Sequence, residues 1–168
     1  MMGRKNLILI GMPGAGKSTV GSALSEKIGY GYVDSDHVII AREGKSLPEI
    51  IAERGMDGFL DVEAKVNAEL CVDRCVIATG GSVIYRESAM KALKKMGKIV
   101  YLQLSYAEIA KRLGDLTKRG VAIEGGKTLL DLYQERVPLY EKYADIVANL
   151  EGCSIAQAVE KIVEALQK

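Results

Sequence analysis

Tryptophan is missing from these 168 residues, and phenylalanine and histidine occur once each, as Phe59 and His37. Without tryptophan, and with no interleaving of basic and aromatic residues, a nucleic-acid groove built on base stacking has no support. An excess of either charge is missing too. The 23 Lys and Arg against 22 Asp and Glu leave a formal charge of +1, so no net field draws the chain to nucleic acid or to a membrane. No apolar run approaches the roughly 20 residues that span a bilayer. The segment Met1–Lys5 runs straight into an apolar strand and does not read as a signal peptide. The three cysteines, Cys71, Cys75 and Cys153, fit no zinc spacing, and an odd number does not close a disulfide framework. They read as buried, reduced thiols of a cytoplasmic protein.

What is present has the balance of an ordinary globular domain, 48% hydrophobic and 27% charged, at a length that suits one domain over residues 1–168. Apolar, β-rich runs recur at Asn6–Ile10, Gly31–Val33, Cys75–Ala78, Ile99–Leu104 and Ile146–Ala148, with helical patterns between them. That alternation predicts a three-layer α/β fold, a parallel sheet with helices on both faces. Helix starts are marked. Ser46 with Pro48 and Glu49 opens a helix over Leu47–Arg54, Ser105 and Glu108 make a capping-box pattern, and Ser154 opens the last helix. That helix places Ile155, Ala158, Val159, Ile162, Val163 and Leu166 on one face, to pack on the sheet.

The most informative stretch is Gly11-Met-Pro-Gly14-Ala15-Gly16-Lys17-Ser18-Thr19. It follows the apolar run Leu7–Ile10 and precedes an amphipathic segment, Val20–Ile28. Strand, glycine loop and helix at the spacing G-x-x-x-x-G-K-[ST] form a Walker A phosphate-binding loop. The glycines let successive N–H groups point inward at phosphate oxygens, and the helix N-terminus favours the anion. Lys17 can reach the β- and γ-phosphates, and the Ser18 hydroxyl can ligate Mg²⁺.

Further candidates sit where strands end. Asp34-Ser35-Asp36 follows the second run, and side chains at the carboxyl ends of parallel strands face the ligand crevice. One carboxylate can hold a metal-bound water while the other takes a hydrogen bond from an acceptor hydroxyl. The competing reading is that one of them caps the next helix. Thr79-Gly80-Gly81-Ser82 follows the third run, either as a close approach to a ligand or as a plain turn. Arg136 can clamp an anionic or polyhydroxy substrate, or stand on a solvated helix face. Arg112 has the same two readings, with adenine stacking as the functional one. His37 reads as a helix-start residue, and the tyrosines as core and boundary. The segment Gly114–Lys127 carries four glycines and little periodicity, and its Lys118-Arg119 pair suits a lid that brings positive charge onto phosphates.

Taken in order, Gly11–Thr19, Asp34-Ser-Asp36, Phe59 with Glu63, Thr79-Gly80-Gly81, Lys118-Arg119 and Arg136-Val-Pro-Leu-Tyr140 make the chain resemble the shikimate kinases nearly from end to end. The resemblance implies a P-loop NTPase fold of the nucleoside-monophosphate-kinase type, with sheet order 2-3-1-4-5, a lid at about 114–127 and acceptor-binding helices at about 37–72. It implies a transferase of aromatic amino acid biosynthesis that moves the γ-phosphate of ATP to the 3-hydroxyl of shikimate, as a monomer, with Mg²⁺ as cofactor. By the same likeness Gly14, Ala15, Gly16, Lys17, Ser18 and Thr19 bind ATP, with Arg112 against adenine and Arg119 on phosphate. Ser18 holds Mg²⁺, and Asp34 supports it through water. Asp36 accepts the proton of the attacking hydroxyl, and Gly80, Gly81 and Arg136 hold the acceptor.

The chain also departs from that family. Where the family writes Phe-Arg-x-x-Glu, this sequence has Phe59-Leu60-Asp61-Val62-Glu63. The lost arginine is one that holds the shikimate carboxylate. A charge-assisted hydrogen bond is worth about 1.5–3 kcal/mol, or roughly ten- to a hundredfold in affinity. Arg54 is a nearby residue that can compensate. Ser82 replaces a third glycine, and Arg119 is followed by glycine instead of proline. Two other readings therefore stand beside shikimate phosphorylation. One is a kinase of the same build acting on a different hydroxyl compound, which Leu60 favours. The other is a nucleotide-binding module without acceptor chemistry, which Asp34, Asp36 and Arg136 oppose.

Overall fold

A computed structural model gives the structure of residues 5–114 and 126–168. The aliphatic run Asn6–Ile10 is the central strand, β1, with Ile8, Leu9 and Ile10 wholly buried. The other strands are β2 (Gly31–Asp34), β3 (Cys75–Ala78), β4 (Gly97–Gln103) and β5 (Ile146–Asn149). All pair in parallel in the order β2-β3-β1-β4-β5, with Ile8 of β1 between Ile77 of β3 and Ile99 of β4. The described residues carry helices α1 (Lys17–Ile28), α2 (Ser35–Glu43), α3 (Leu47–Ala68), α4 (Glu87–Met96), α5 (Tyr106–Leu113), α6 (Leu129–Tyr143) and α7 (Ile155–Leu166). A short 3₁₀ turn, Val83–Tyr85, links β3 to α4. Because β3 and β4 flank β1 on opposite sides, crossovers diverge at its carboxyl end, where ligand crevices of parallel sheets form.

Local chemistry accounts for most boundaries. Ser46 and Glu49 make a reciprocal capping box at the start of α3, as do Ser154 and Gln157 at α7 and Thr128 and Asp131 at α6. At α5 the expected box is half made. Ser105 accepts from the Glu108 N–H, but its own N–H donates to Glu151, while the Glu108 carboxylate pairs with Arg112. Helix α3 continues past Arg54 to Ala68, broken at Gly55, whose φ of 75° and ψ of 173° no helix accommodates.

Two apolar clusters hold these parts. The larger joins the sheet to α1, α4, α6 and α7, and includes the stacked rings of Tyr101 and Tyr140. The smaller lies between α2 and α3 and contains Ile39, Ile50, Phe59, Leu60 and Val66. On α7 the predicted face buries Ala158, Val159 and Ile162, but Ile155 stays exposed. The cysteines correct the expectation of burial: Cys71 is exposed, and Cys75 and Cys153 are half-buried, because Cys75 is the first residue of β3 and the other two lie in connections between elements.

Asn6 ties the sheet margin together. Its buried amide donates to the carbonyls of Val72 and Met96 and accepts from the Cys75 N–H. Removing such a side chain strands polar groups that cost about 1–3 kcal/mol each when unpaired. Asn6→Ala should lower the unfolding free energy in urea by about 2–4 kcal/mol; a loss under about 0.5 kcal/mol would show that water takes over these bonds.

Candidate active site

The loop between β1 and α1 is tight because Gly14 and Gly16 sit at φ of 84° and 92°, a region open to glycine at little cost. Ala15 N–H closes the turn on the Met12 carbonyl at 3.0 Å. The following helix starts at Lys17, whose side chain folds back beneath the loop and donates to the carbonyls of Gly11 (2.6 Å) and Met12 (2.9 Å). Burial lowers its ammonium to about 8, and the field of Asp36 resists that shift. A lysine so placed still carries its charge at neutral pH.

Beside the loop opens a cavity of about 1120 Å³. Its walls bring together Gly14, Gly16, Lys17, Ser18 and Thr19 from the loop and α1, Asp34 and Asp36 from the end of β2, Gly80 and Gly81 from the end of β3, and Arg136 from α6. Segments far apart in sequence thus meet in one crevice. The capping reading of the aspartate pair is the one the structure shows directly, and it leaves the second oxygen of Asp34 facing the loop. Asp34 Oδ1 accepts from the Asp36 N–H and so caps α2, while Asp34 Oδ2 accepts from the Ser18 hydroxyl at 3.2 Å. Ser18 and Asp34 are oxygen donors, the kind that Mg²⁺ prefers. Among the described residues no cluster of three His, Cys, Asp or Glu would grip a metal alone, so an ion there depends on phosphate oxygens as well. Asp36 Oδ1 is buried without a hydrogen-bond partner among the described residues. Burial raises the Asp36 carboxyl above its ordinary range, with Asp34 adding to the rise.

Gly80 and Gly81 are close-approach positions. A Cβ at Gly80 would lie 2.7 Å from Glu63 Oε2 and 2.9 Å from Asp36 Oδ1. One at Gly81 would lie 3.0 Å from Arg136 Nη1. Arg136 is buried, its Nε donating to the Tyr85 hydroxyl at 3.1 Å and its guanidinium lying over the Tyr85 ring. One turn on along α6, the Tyr140 hydroxyl donates to the Gly81 carbonyl at 2.7 Å. The solvated alternative for Arg136 is thereby set aside.

Arg112 stands on the other side of the loop. Its Nε pairs with Glu108, and its Nη1 donates weakly to the carbonyls of Gly14 and Ala15. It lines a second cavity of about 240 Å³ next to the loop, with Ala15, Thr19, Cys153 and Ile155. Lys118 and Arg119, with most of the expected lid at 114–127, lie outside the described residues. His37 is an exposed residue in the first turn of α2, as expected.

Leu60 lines the larger cavity, in an apolar wall with Leu47, Pro48, Ile51, Met56 and Phe59. Arg54 does not compensate for it. Its guanidinium pairs with Glu43 and is absent from the cavity lining, because it precedes the break at Gly55 and is carried onto the outer face of α3. Two cations that the sequence did not single out line the cavity instead. Arg86 is held by Asp57 and Asp61, and Lys127 pairs with Glu135. No local pattern marks either one. Tyr140 was legible, since i, i+4 spacing places it on the Arg136 face of α6.

Comparison with known proteins agrees with this geometry. A family model described as shikimate kinase matches residues 13–167. A shikimate kinase of Thermodesulfovibrio yellowstonii is 38% identical over 167 residues, covering 98% of this chain and 96% of the relative. One from Pseudomonas fluorescens is 39% identical over 165 residues, covering 96% of each. The solved structure of shikimate kinase from Acinetobacter baumannii in complex with shikimate superposes with a TM-score of 0.88 at 32% identity, covering 97% of this chain and 93% of that one. Lys17 of the glycine loop, the two acids at the end of β2 and the buried Arg136 across the crevice all lie within the matched span, and the chain belongs to the shikimate kinase family.

Proposed function

We propose that this chain transfers the γ-phosphoryl group of ATP to the 3-hydroxyl of shikimate, as a cytoplasmic monomer whose residues 1–168 make one catalytic unit. The observation that carries the proposal is the buried, unpartnered Asp36 Oδ1, set across Gly80 from Glu63 in the cavity that also holds Lys17 and Arg136. A lone buried acceptor atom is costly unless a ligand hydroxyl meets it.

Phosphoryl transfer needs positioning and charge more than covalent chemistry. The loop N–H groups from Gly14 to Thr19 and the Lys17 ammonium receive the β- and γ-phosphates. Arg112 borders the adenine. Arg119, which lies outside the described residues, is assigned to phosphate by the family resemblance alone. Ser18, with Asp34 behind it, would hold Mg²⁺, which would supply neutralisation of the phosphate charge. Asp36 orients the acceptor hydroxyl and takes its proton, while Gly80, Gly81 and Arg136 hold the rest of the acceptor. Arg136 is pre-aimed by Tyr85, so little side-chain entropy is lost when it binds an anion.

A second reading is favoured by the wall around Leu60, which suits an acceptor without a carboxylate at that end. ADP release in the presence of shikimate and of neutral polyols separates the two: turnover of shikimate at millimolar levels is expected, and its absence alongside turnover of a polyol would transfer the assignment.

Lys17→Ala should abolish turnover while leaving the melting temperature unchanged or higher, since a buried charge is removed. In the wild-type protein, ATP binding below saturation should weaken as pH rises through about 8, where the Lys17 ammonium loses its proton. Calorimetry at pH 8 should show proton uptake on ATP binding, because phosphate restores that proton. Asp36→Asn should lower kcat by about 10²–10⁴ with ATP affinity little changed; a near-normal kcat would remove Asp36 from the proton-accepting role.

A further inference from the structure

The acceptor end of the cavity holds a second acid whose surroundings differ from those of Asp36. Glu63 is 1% exposed. One of its oxygens, Oε1, accepts from the Ser82 hydroxyl at 2.8 Å. No cation among the described residues lies within ion-pair distance of it. Leu60, one turn earlier on the same helix, contributes only hydrocarbon. Its other oxygen, Oε2, and Asp36 Oδ1 both lie against Gly80, 2.7 and 2.9 Å from where a Cβ would stand.

We propose that Glu63 is a specificity-determining residue of the acceptor site: Ser82 fixes one oxygen, and the other carries a proton and donates it in a hydrogen bond to an oxygen of the bound acceptor. The proposal rests on the acceptor reading of this cavity. Its physical basis is that an unpaired carboxylate in a dry pocket, facing a second carboxyl, is far costlier than the neutral acid. Neutral, Glu63 has one O–H to give, and Ser82 already serves its other oxygen. A donor at that place matches a hydroxyl or a carboxylate oxygen, and so recovers for an oxygen-rich acceptor some of what the apolar Leu60 does not offer. Had Glu63 been ionised, it would repel an anionic acceptor at the same spot.

The groups facing it agree with this assignment. From α1 comes Lys17, already bound to two carbonyls; from the start of α2, Asp34 and Asp36; from the β3–α4 turn, Ser82 and Tyr85; and from α6, Arg136, engaged with Tyr85. Burial pushes the Glu63 carboxyl up to about 7. The Ser82 hydrogen bond opposes the rise, Asp36 adds to it, and Arg136 and Lys17 oppose it too weakly to reverse it. For an acid raised in the folded state, the neutral form and the stability it brings are complete at low pH and are lost as pH climbs through that value.

The test uses Glu63→Gln, which keeps the shape, lets its carbonyl accept from Ser82 and presents a permanent N–H donor. With ATP saturating, the wild-type KM for shikimate should rise about tenfold between pH 6 and pH 8.5, while the variant keeps the pH 6 value within about twofold across that range. Thermal melts without ligand should show the wild type losing melting temperature relative to Glu63→Gln from pH 5 to pH 8. A constant gap in the melts, or a tenfold higher KM for the variant at pH 6, would overturn the proposal, since an ionised, accepting Glu63 predicts both. If the wild type turns over no shikimate at any pH, the acceptor reading falls, while the melts still decide the proton. Ser82→Ala, which removes the bond favouring the ionised form, should move the KM rise to higher pH; an unmoved midpoint would remove Ser82 from the role.

Discussion

The buried ammonium of Lys17 is the constraint around which the crevice is arranged. A charge taken out of water must be answered by oxygens. Here the carbonyls of Gly11 and Met12 answer it directly, and they do so only because the loop curls back over the start of α1. The acids of the cavity complete the balance, with Asp36 the strongest single charge acting on the lysine. The glycines, the strand that launches the loop and the acids opposite it are therefore one electrostatic unit, and none of them makes sense alone.

The rest of the molecule holds that unit in register. The large core fixes β1 between β3 and β4, and so places the loop and the Gly80-Gly81 turn side by side. Tyr140 joins α6 to that turn through the Gly81 carbonyl. The apolar wall around Leu60 belongs to the smaller core of α2 and α3, which is separate from the sheet's. A cavity bounded by two cores can be reshaped on one side without disturbing the other, and Leu60 lies on the side of the smaller core.

Much of this is legible in the amino-acid sequence. The sheet is, because a parallel strand covered on both faces is a short aliphatic run and little else imitates it between glycine-marked turns. The loop and the two acids are, because their chemistry depends on order and spacing. The kink at Gly55 is half legible: the capped start at Ser46 predicts a helix to Arg54, but nothing local says that the chain resumes a helix beyond a break. Arg54 is misplaced for the same reason. The partners of Arg136 and the Ser82–Glu63 bond are hidden because they join segments 51 and 19 residues apart, a separation that periodicity cannot see. The cysteines mislead because a thiol's usual preference for the interior loses to a place in a connection or at the first residue of a strand.

Asp34 has one carboxylate and two obligations, the first turn of α2 and the hydroxyl of Ser18. A single fastener thus spans the start of α1 and the start of α2, the two sides of the cleft at its base. Rotation of that group, by an arriving cation or otherwise, cannot loosen one attachment without straining the other, so the two halves are geared together at their base.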